Sequence, residues 1–223
     1  MGASISCRLF RATDPVLARF PPQGWRQIER RVDEYSDSVR RGCVLGLIQL
    51  LDLKDLYTGV HSTQLVQLVL AEAQRLGMQN SEMEDLEIGA TLHDIGKVGV
   101  PDAILHKPSR LSEEELAVVR RHPEFGWQVT HVIPGLERAS LYILHHHESW
   151  DGQGYPGALR GSQIPLGARI VAAVDAFAAM TTSRSYRAAL PLEEGLRRLQ
   201  ADSGRQFDPQ VVNCFVELAT LLG

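Results

Sequence analysis

Cysteine is scarce: Cys7, Cys43 and Cys214 are the three in 223 residues, and none belongs to a CxxC pair. Neither a disulfide framework nor a thiolate zinc site is expected, and the three read as reduced thiols, Cys43 and Cys214 as small buried hydrophobes. An excess of basic charge is also missing, since 23 lysines and arginines against 27 aspartates and glutamates leave a net charge of −4. Binding along a polymeric nucleic acid needs a strongly basic face and is not expected, whereas a small anionic ligand is compatible with this balance. Long apolar runs are lacking. The longest, Cys43 to Leu51, contains Gly46 and Gln49 and falls far short of the ~20 residues of a membrane span. Met1 to Arg11 has no basic start with a long apolar centre and no clear cleavage site, so a cytoplasmic protein is expected. Strand-like alternation, internal repeats and low-complexity runs are scarce or absent.

What is present is helical. With 44% apolar and 22% charged residues the chain is globular in composition, and apolar positions recur three and four residues apart. The expected fold is all-α, a helical bundle with a metal site in its core, as an N-terminal helical extension over 1–50 and one domain over 51–223. Helices are expected over Arg26 to Arg41, Val44 to Leu56 and Ser62 to Leu76, the last closed by Gly77. Two capping boxes, Ser81 with Glu84 and Ser112 with Glu115, open further helices. The first delivers His93 and Asp94 at its end, before Gly96, Gly99 and Pro101. The second runs toward His122 until Pro123 interrupts it. A helix over Leu136 to His147 precedes a Gly/Pro-rich loop, Asp151 to Pro165. Leu166 to Met180 reads as a buried central helix, and Leu192 to Gln200 and Pro209 to Leu222 close the chain, with Asp208 as N-cap of the last.

All eight histidines lie between His61 and His147. Asp175 is the one acidic residue of the apolar central helix, and a buried carboxylate needs a compensating cation or hydrogen-bond donors. Arg169 and Arg184 are the ordinary candidates. His93, Asp94, His122, His146 and His147 come from three other expected helices, and imidazole with carboxylate suits iron, manganese, zinc or nickel better than calcium. Bundle cores fed by facing helices commonly hold two metals, and such a pair can clamp an in-line phosphoryl displacement.

Six segments carry a family resemblance: His93–Lys97 (HDIGK), Val100–Leu105 (VPDAIL), Arg121–Gly126 (RHPEFG), His145–Pro156 (HHHESWDGQGYP), Ile164–Ile170 (IPLGARI) and Gln206–Pro209 (QFDP). Together they resemble the HD superfamily of metal-dependent phosphohydrolases and, within it, the HD-GYP family of cyclic di-GMP phosphodiesterases, from Asp55 to Pro209. The resemblance implies His61, His93, Asp94, His122, His146, His147 and Asp175 as ligands of two divalent metals, iron or manganese first and nickel or zinc next. Tyr57 stands where members of the trinuclear type carry a glutamate, which argues against a third metal. Asp94 and Lys97 are the implied catalytic residues, and Asp55, Lys97, Tyr155, Arg184 and Arg187 the implied substrate contacts. A solvated helix end is the plain alternative for the two arginines. His145 reads as packing or as a support to the ligands, and His106 and His131 as ordinary surface or structural histidines. The implied reaction is hydrolysis of cyclic di-GMP by a metal-bridging hydroxide to pGpG, or onward to GMP. The Gly154-Tyr155-Pro156 loop is an implied contact for diguanylate cyclase (GGDEF) domains. Ala178 and Ser185 replace an aspartate and a proline of the family pattern, which leaves base selectivity less secure than catalysis. A weakly catalytic cyclic dinucleotide receptor and a phosphodiesterase for another cyclic dinucleotide are the alternatives. The segment Arg26 to Leu56 suits a dimerising helix pair and a cover over the bundle equally.

Overall fold

A computed structural model describes the backbone of residues 22–54, 58–182 and 188–222, and the side chains of 37–54, 63–182 and 188–221. Among these residues there is no strand, and one isolated bridge joins Ser203 to Phe207. Ten α-helices follow in order: α1 Pro22–Lys54, α2 Thr58–Arg75, α3 Asn80–Leu92, α4 Asp102–Leu105, α5 Glu113–Val119, α6 His122–Thr130, α7 Glu137–His145, α8 Leu166–Thr181, α9 Leu192–Ala201 and α10 Pro209–Leu222. Two 3-10 turns, Ile95–Gly99 and Gly161–Gln163, punctuate them. Contacts divide the chain into two compact units, Met1–Leu45 and Gly46–Gly223. No described helix is long and apolar enough to cross a membrane.

The core of the larger unit is built around α8. Ile170, Val171, Ala173, Val174 and Phe177 of α8 are buried with Leu65, Val69 and Ala73 of α2, Leu86 and Ala90 of α3, Tyr142 of α7, Leu199 of α9 and Val211, Val212 and Phe215 of α10. Each fully buried valine, leucine, isoleucine or phenylalanine side chain among them contributes roughly 1.5–3 kcal/mol. The alanine-rich sequence of α8 lets α2, α3, α7, α9 and α10 all pack on it.

Several boundaries differ from expectation. The two helices expected over 26–41 and 44–56 are one, α1, running through Gly42 and Gly46; a glycine inside a helix costs about 1 kcal/mol against alanine and does not by itself break it. Helix α3 starts at Asn80 with Gln79 as an N-cap that makes no side-chain bond, so the Ser81–Glu84 box does not form. The Ser112–Glu115 box does form, the Ser112 hydroxyl accepting from Glu115 N–H at 3.2 Å and Glu115 accepting from Ser112 N–H at 2.8 Å. Pro123 does not end the helix that Ser112 opens. That helix stops at Val119, and Pro123 stands in the first turn of α6, where its missing N–H has no partner to lose. Gly77 closes α2 at φ +75°, and Asp208 accepts from Gln210 N–H at 2.8 Å as the cap of α10.

Candidate metal centre

The end of α3 does the first positioning. His93 is the last residue in α-helical geometry and Asp94 the first outside it, after which the chain tightens into the Ile95–Gly99 turn. The change of winding turns two adjacent side chains toward one place: His93 Nε2 lies 3.4 Å from Asp94 Oδ2. Asp94 Oδ1 faces His122 Nε2 of α6 at 3.5 Å. Gly96 makes this approach possible, because a Cβ there would stand 1.8 Å from the His122 carbonyl oxygen and 2.5 Å from Gly126 N.

His146 caps α7 and His147 follows it. The ligand atoms of His122, His146 and His147 all lie within 4.8 Å of one another. His122 Nε2 and His146 Nε2 are 3.3 Å apart. Asp175 of α8 brings Oδ1 to 3.9 Å from His93 Nε2. Asp175 corrects one premise of the sequence reading. Its side chain is 33% exposed rather than sealed in the core, so desolvation alone does not demand a cation there. Arg169, one of the two plain candidates for its partner, is engaged instead by Asp208 at 2.5 Å and by the Ile164 carbonyl at 2.9 Å, and Arg184, the other, lies outside the described residues.

The other ring nitrogen of each histidine identifies what the cluster can bind. His93 Nδ1 donates to the Ala90 carbonyl at 2.7 Å, His122 Nδ1 to Val119 at 2.9 Å and His146 Nδ1 to Ile143 at 2.7 Å, each three residues back. These bonds keep a proton on Nδ1 and aim Nε2 inward, the arrangement of a metal-ligating imidazole with its supporting acceptor. Burial, followed by the field of neighbouring histidines, holds His146 well below the ordinary range and His147 at about 3. Burial likewise lowers His122, against the pull of Asp94. His93 is the exception: burial works to lower it, but contact with Asp94 and the field of Asp175 hold it at about 9. Burial works to raise Asp94, yet Lys97 and the two facing histidines keep its carboxyl well below the usual carboxylate range. Several converging imidazole lone pairs with two carboxylates form a donor set that fits borderline divalent transition metals.

Of the remaining expected site residues, Lys97 sets Nζ 2.6 Å from Asp94 Oδ2. Tyr155 stacks on His147 with ring centres 5.0 Å apart and is tied by its N–H to the His147 carbonyl at 3.1 Å. Burial pushes its phenol up to about 12. His61 lies on α2, with its side chain outside the described set, and Asp55, Tyr57, Arg184, Ser185 and Arg187 are outside the described residues altogether. Ala178 sits on α8. His145 Nδ1 lies 3.3 Å from Glu148 Oε1, and His131 stacks on Trp127 at 4.0 Å.

Two residues carry more than the sequence suggested. Glu148 is 4% exposed, and its carboxylate accepts N–H bonds from Gly157 at 2.6 Å and Leu159 at 3.0 Å. It thereby fastens the loop that carries Tyr155 to the end of α7. A glutamate directly after three histidines was the available signal. Arg120 directs its guanidinium toward the Tyr155 ring, 5.9 Å from its centre, and nothing in the pair Arg120-Arg121 marks which arginine turns inward.

The HD domain family matches residues 46–211. The Thermotoga maritima protein named cyclic di-GMP phosphodiesterase is 36% identical over 188 residues, 83% of this chain and 50% of the relative. The cyclic di-GMP phosphodiesterase response regulator RpfG of Xanthomonas campestris is 40% identical over 146 residues, 65% of this chain and 39% of its own. The 3'3'-cGAMP-specific phosphodiesterase 2 of Vibrio cholerae is 36% identical over 180 residues, 78% of this chain and 34% of its own. The chain thus spans half or less of the length of these relatives. Among solved structures, a cyclic GMP-AMP-specific phosphodiesterase of V. cholerae superposes with a TM-score of 0.61 at 21% identity, over 79% of this chain and 48% of that one. The L. monocytogenes phosphodiesterase PgpH HD domain in complex with cyclic-di-AMP gives 0.59 at 17% identity, over 79% and 95%. At these identities the likeness is one of fold, and it is the all-helical HD-type fold that the motifs implied. By the match over 46–211, the chain belongs to the HD domain family.

Proposed function

We propose that this chain hydrolyses cyclic di-GMP to pGpG, or onward to GMP, as a metal-dependent phosphodiesterase of the HD-GYP type. The observation that carries the reading is Asp94, whose two oxygens face His93 Nε2 at 3.4 Å and His122 Nε2 at 3.5 Å. One carboxylate thus addresses two imidazoles that belong to different elements. His61, His93, Asp94, His122, His146, His147 and Asp175 are the residues that would hold two metals, iron or manganese first and nickel or zinc next. Such metals, when bound, supply Lewis acidity toward a phosphoryl oxygen and lower the pKa of water.

The chain's own groups account for the rest. Lys97, within 2.6 Å of Asp94, offsets charge on the scissile phosphate and can protonate the departing ribose oxygen as water adds to phosphorus and the P–O bond breaks. Tyr155, its phenol held at about 12, stays protonated at neutral pH and donates a hydrogen bond or stacks on a base. Asp55, Arg184 and Arg187 are the further substrate contacts this reading assigns. GGDEF domains are partners it assigns to the Gly154-Tyr155-Pro156 loop.

Protein purified anaerobically and loaded with iron or manganese is expected to cleave cyclic di-GMP, with two metal ions per chain by elemental analysis. Asp94→Ala is expected to reduce turnover by at least about 10³-fold; an Asp94→Ala protein as active as the wild type sinks the mechanism. A second reading, cleavage of 3'3'-cGAMP, is supported by relatives of that name at 36% and 33% identity and by Ala178 in place of the family aspartate. A kcat/KM ratio above one for 3'3'-cGAMP over cyclic di-GMP would select it.

A further inference from the structure

Arg120 is placed by the same turn that places His122. It caps α5 at φ −61° and ψ −12°, with its N–H donating to the Leu116 carbonyl at 2.9 Å and the N–H of Arg121 to the Val118 carbonyl at 3.2 Å. Two residues later the His122 ring is bonded to the Val119 carbonyl at 2.9 Å. The backbone of Arg120 and the ring of that histidine are thus set by the same turn. Its guanidinium reaches out of the turn to 5.9 Å from the centre of the Tyr155 ring, and that ring is stacked on His147. A cation is thus set beside the cluster of imidazoles, at the tyrosine.

The charges around the cluster are unevenly committed. Lys97 is engaged by Asp94 at 2.6 Å. Arg121, the sequence neighbour, is drawn to Glu124 at 3.6 Å and lies over Phe125. Arg120 is exposed, and no carboxylate among the described residues forms an ion pair with it. An aromatic face orients a guanidinium without occupying its N–H donors, which leaves a planar fork suited to a phosphate.

A cyclic dinucleotide brings two phosphodiester groups. While one faces Lys97 and the histidine cluster, the other carries a negative charge that those groups do not meet. We propose that Arg120 binds the phosphate that is not being cleaved, and so favours cyclic dinucleotides over substrates with a single phosphodiester. This rests on the cyclic dinucleotide reading above. It adds a substrate contact from α5, outside the residues that the sequence motifs single out.

Steady-state kinetics of the metal-loaded full chain and of Arg120→Ala test it, with cyclic di-GMP and with bis(p-nitrophenyl) phosphate, which has one phosphodiester. Metal content is measured alongside, to show that His122 has kept its place. The expected result is a rise in KM for cyclic di-GMP of about tenfold, with kcat changed much less, metal content retained and a far smaller effect on bis(p-nitrophenyl) phosphate. Arg120→Lys should recover part of the loss, since it restores the charge without the fork. An unchanged KM for cyclic di-GMP, or an equal loss on both substrates, overturns the assignment. If the wild type cleaves bis(p-nitrophenyl) phosphate but neither binds nor cleaves a cyclic dinucleotide, the parent reading fails and this one with it.

Discussion

Glu72 is a buried carboxylate that the proposed chemistry does not use. It is 0% exposed on α2, and neither of its oxygens has a hydrogen bond of good geometry. Cys214 of α10 lies alongside as a weak donor, with Arg75 on its own helix and Glu217 on α10 as the nearby charges. Burial pushes its pKa from 4.5 to about 7. A carboxyl whose pKa is higher in the folded state favours folding while it is protonated. Its contribution is therefore fully present below about 4.5 and is lost as pH rises through about 7. The full loss is on the order of 3 kcal/mol. Glu72→Gln keeps the shape and removes the titration, so variant and wild type should melt together at pH 5. At pH 8 the variant should melt higher, by roughly 5–10 °C for a chain of this size. A difference in melting temperature that stays constant from pH 5 to pH 8 would show that the carboxyl does not titrate in this range.

At the scale of elements, the site depends on two helix ends being held close to each other, and Gly96 is where they touch. A methyl group there would meet backbone atoms at 1.8 and 2.5 Å, and backbone cannot rotate away as a side chain can. Gly96→Ala should therefore cost about 3 kcal/mol or more and separate Asp94 from His122. A lower urea midpoint and loss of bound metal are expected, and a variant with wild-type midpoint and metal content would refute the packing argument. How much of this was legible in the sequence depends on the kind of signal. The ends of α3 and α7 were legible because His93-Asp94 and His146-His147 stand just ahead of glycine-containing turns. The caps at Ser112 and Asp208 were legible because their partners are local. Ser81 misled because a serine-glutamate spacing describes a box without fixing where the helix begins, and Gln79 begins it. Gly42 misled because one glycine's propensity is small beside a long helix's packing. The exposure of Asp175 and the direction of Arg120 follow from neighbours distant in sequence, which no local pattern records.

At the scale of the whole chain, the donors that converge on the site come from separate parts of the fold. His93 and Asp94 end α3, His122 opens α6, His146 and His147 follow α7, and Asp175 belongs to α8, the helix at the centre of the core. Asp94 faces His93, His122 and Lys97, and His93 also faces Asp175, so the two carboxylates offset part of the charge and polarity gathered here. A divalent metal held by this assembled set would have no comparable site in the unfolded chain, so its binding free energy would add to folding stability. At free metal a hundredfold above Kd the gain is about 2.7 kcal/mol, or roughly 5–10 °C in melting temperature for a domain of this size. Chelation of the purified protein should lower the melting temperature by that amount, and manganese or iron(II) should restore it in a concentration-dependent way. Magnesium should restore much less, because it favours oxygen donors over imidazole. Asp94→Ala removes the carboxylate shared by His93 and His122, so its melting temperature should respond only weakly to chelator and metal. A melting temperature indifferent to chelation in the wild type, or a response to magnesium equal to that to manganese, would mean that these histidines are packed together for a reason other than binding a transition metal.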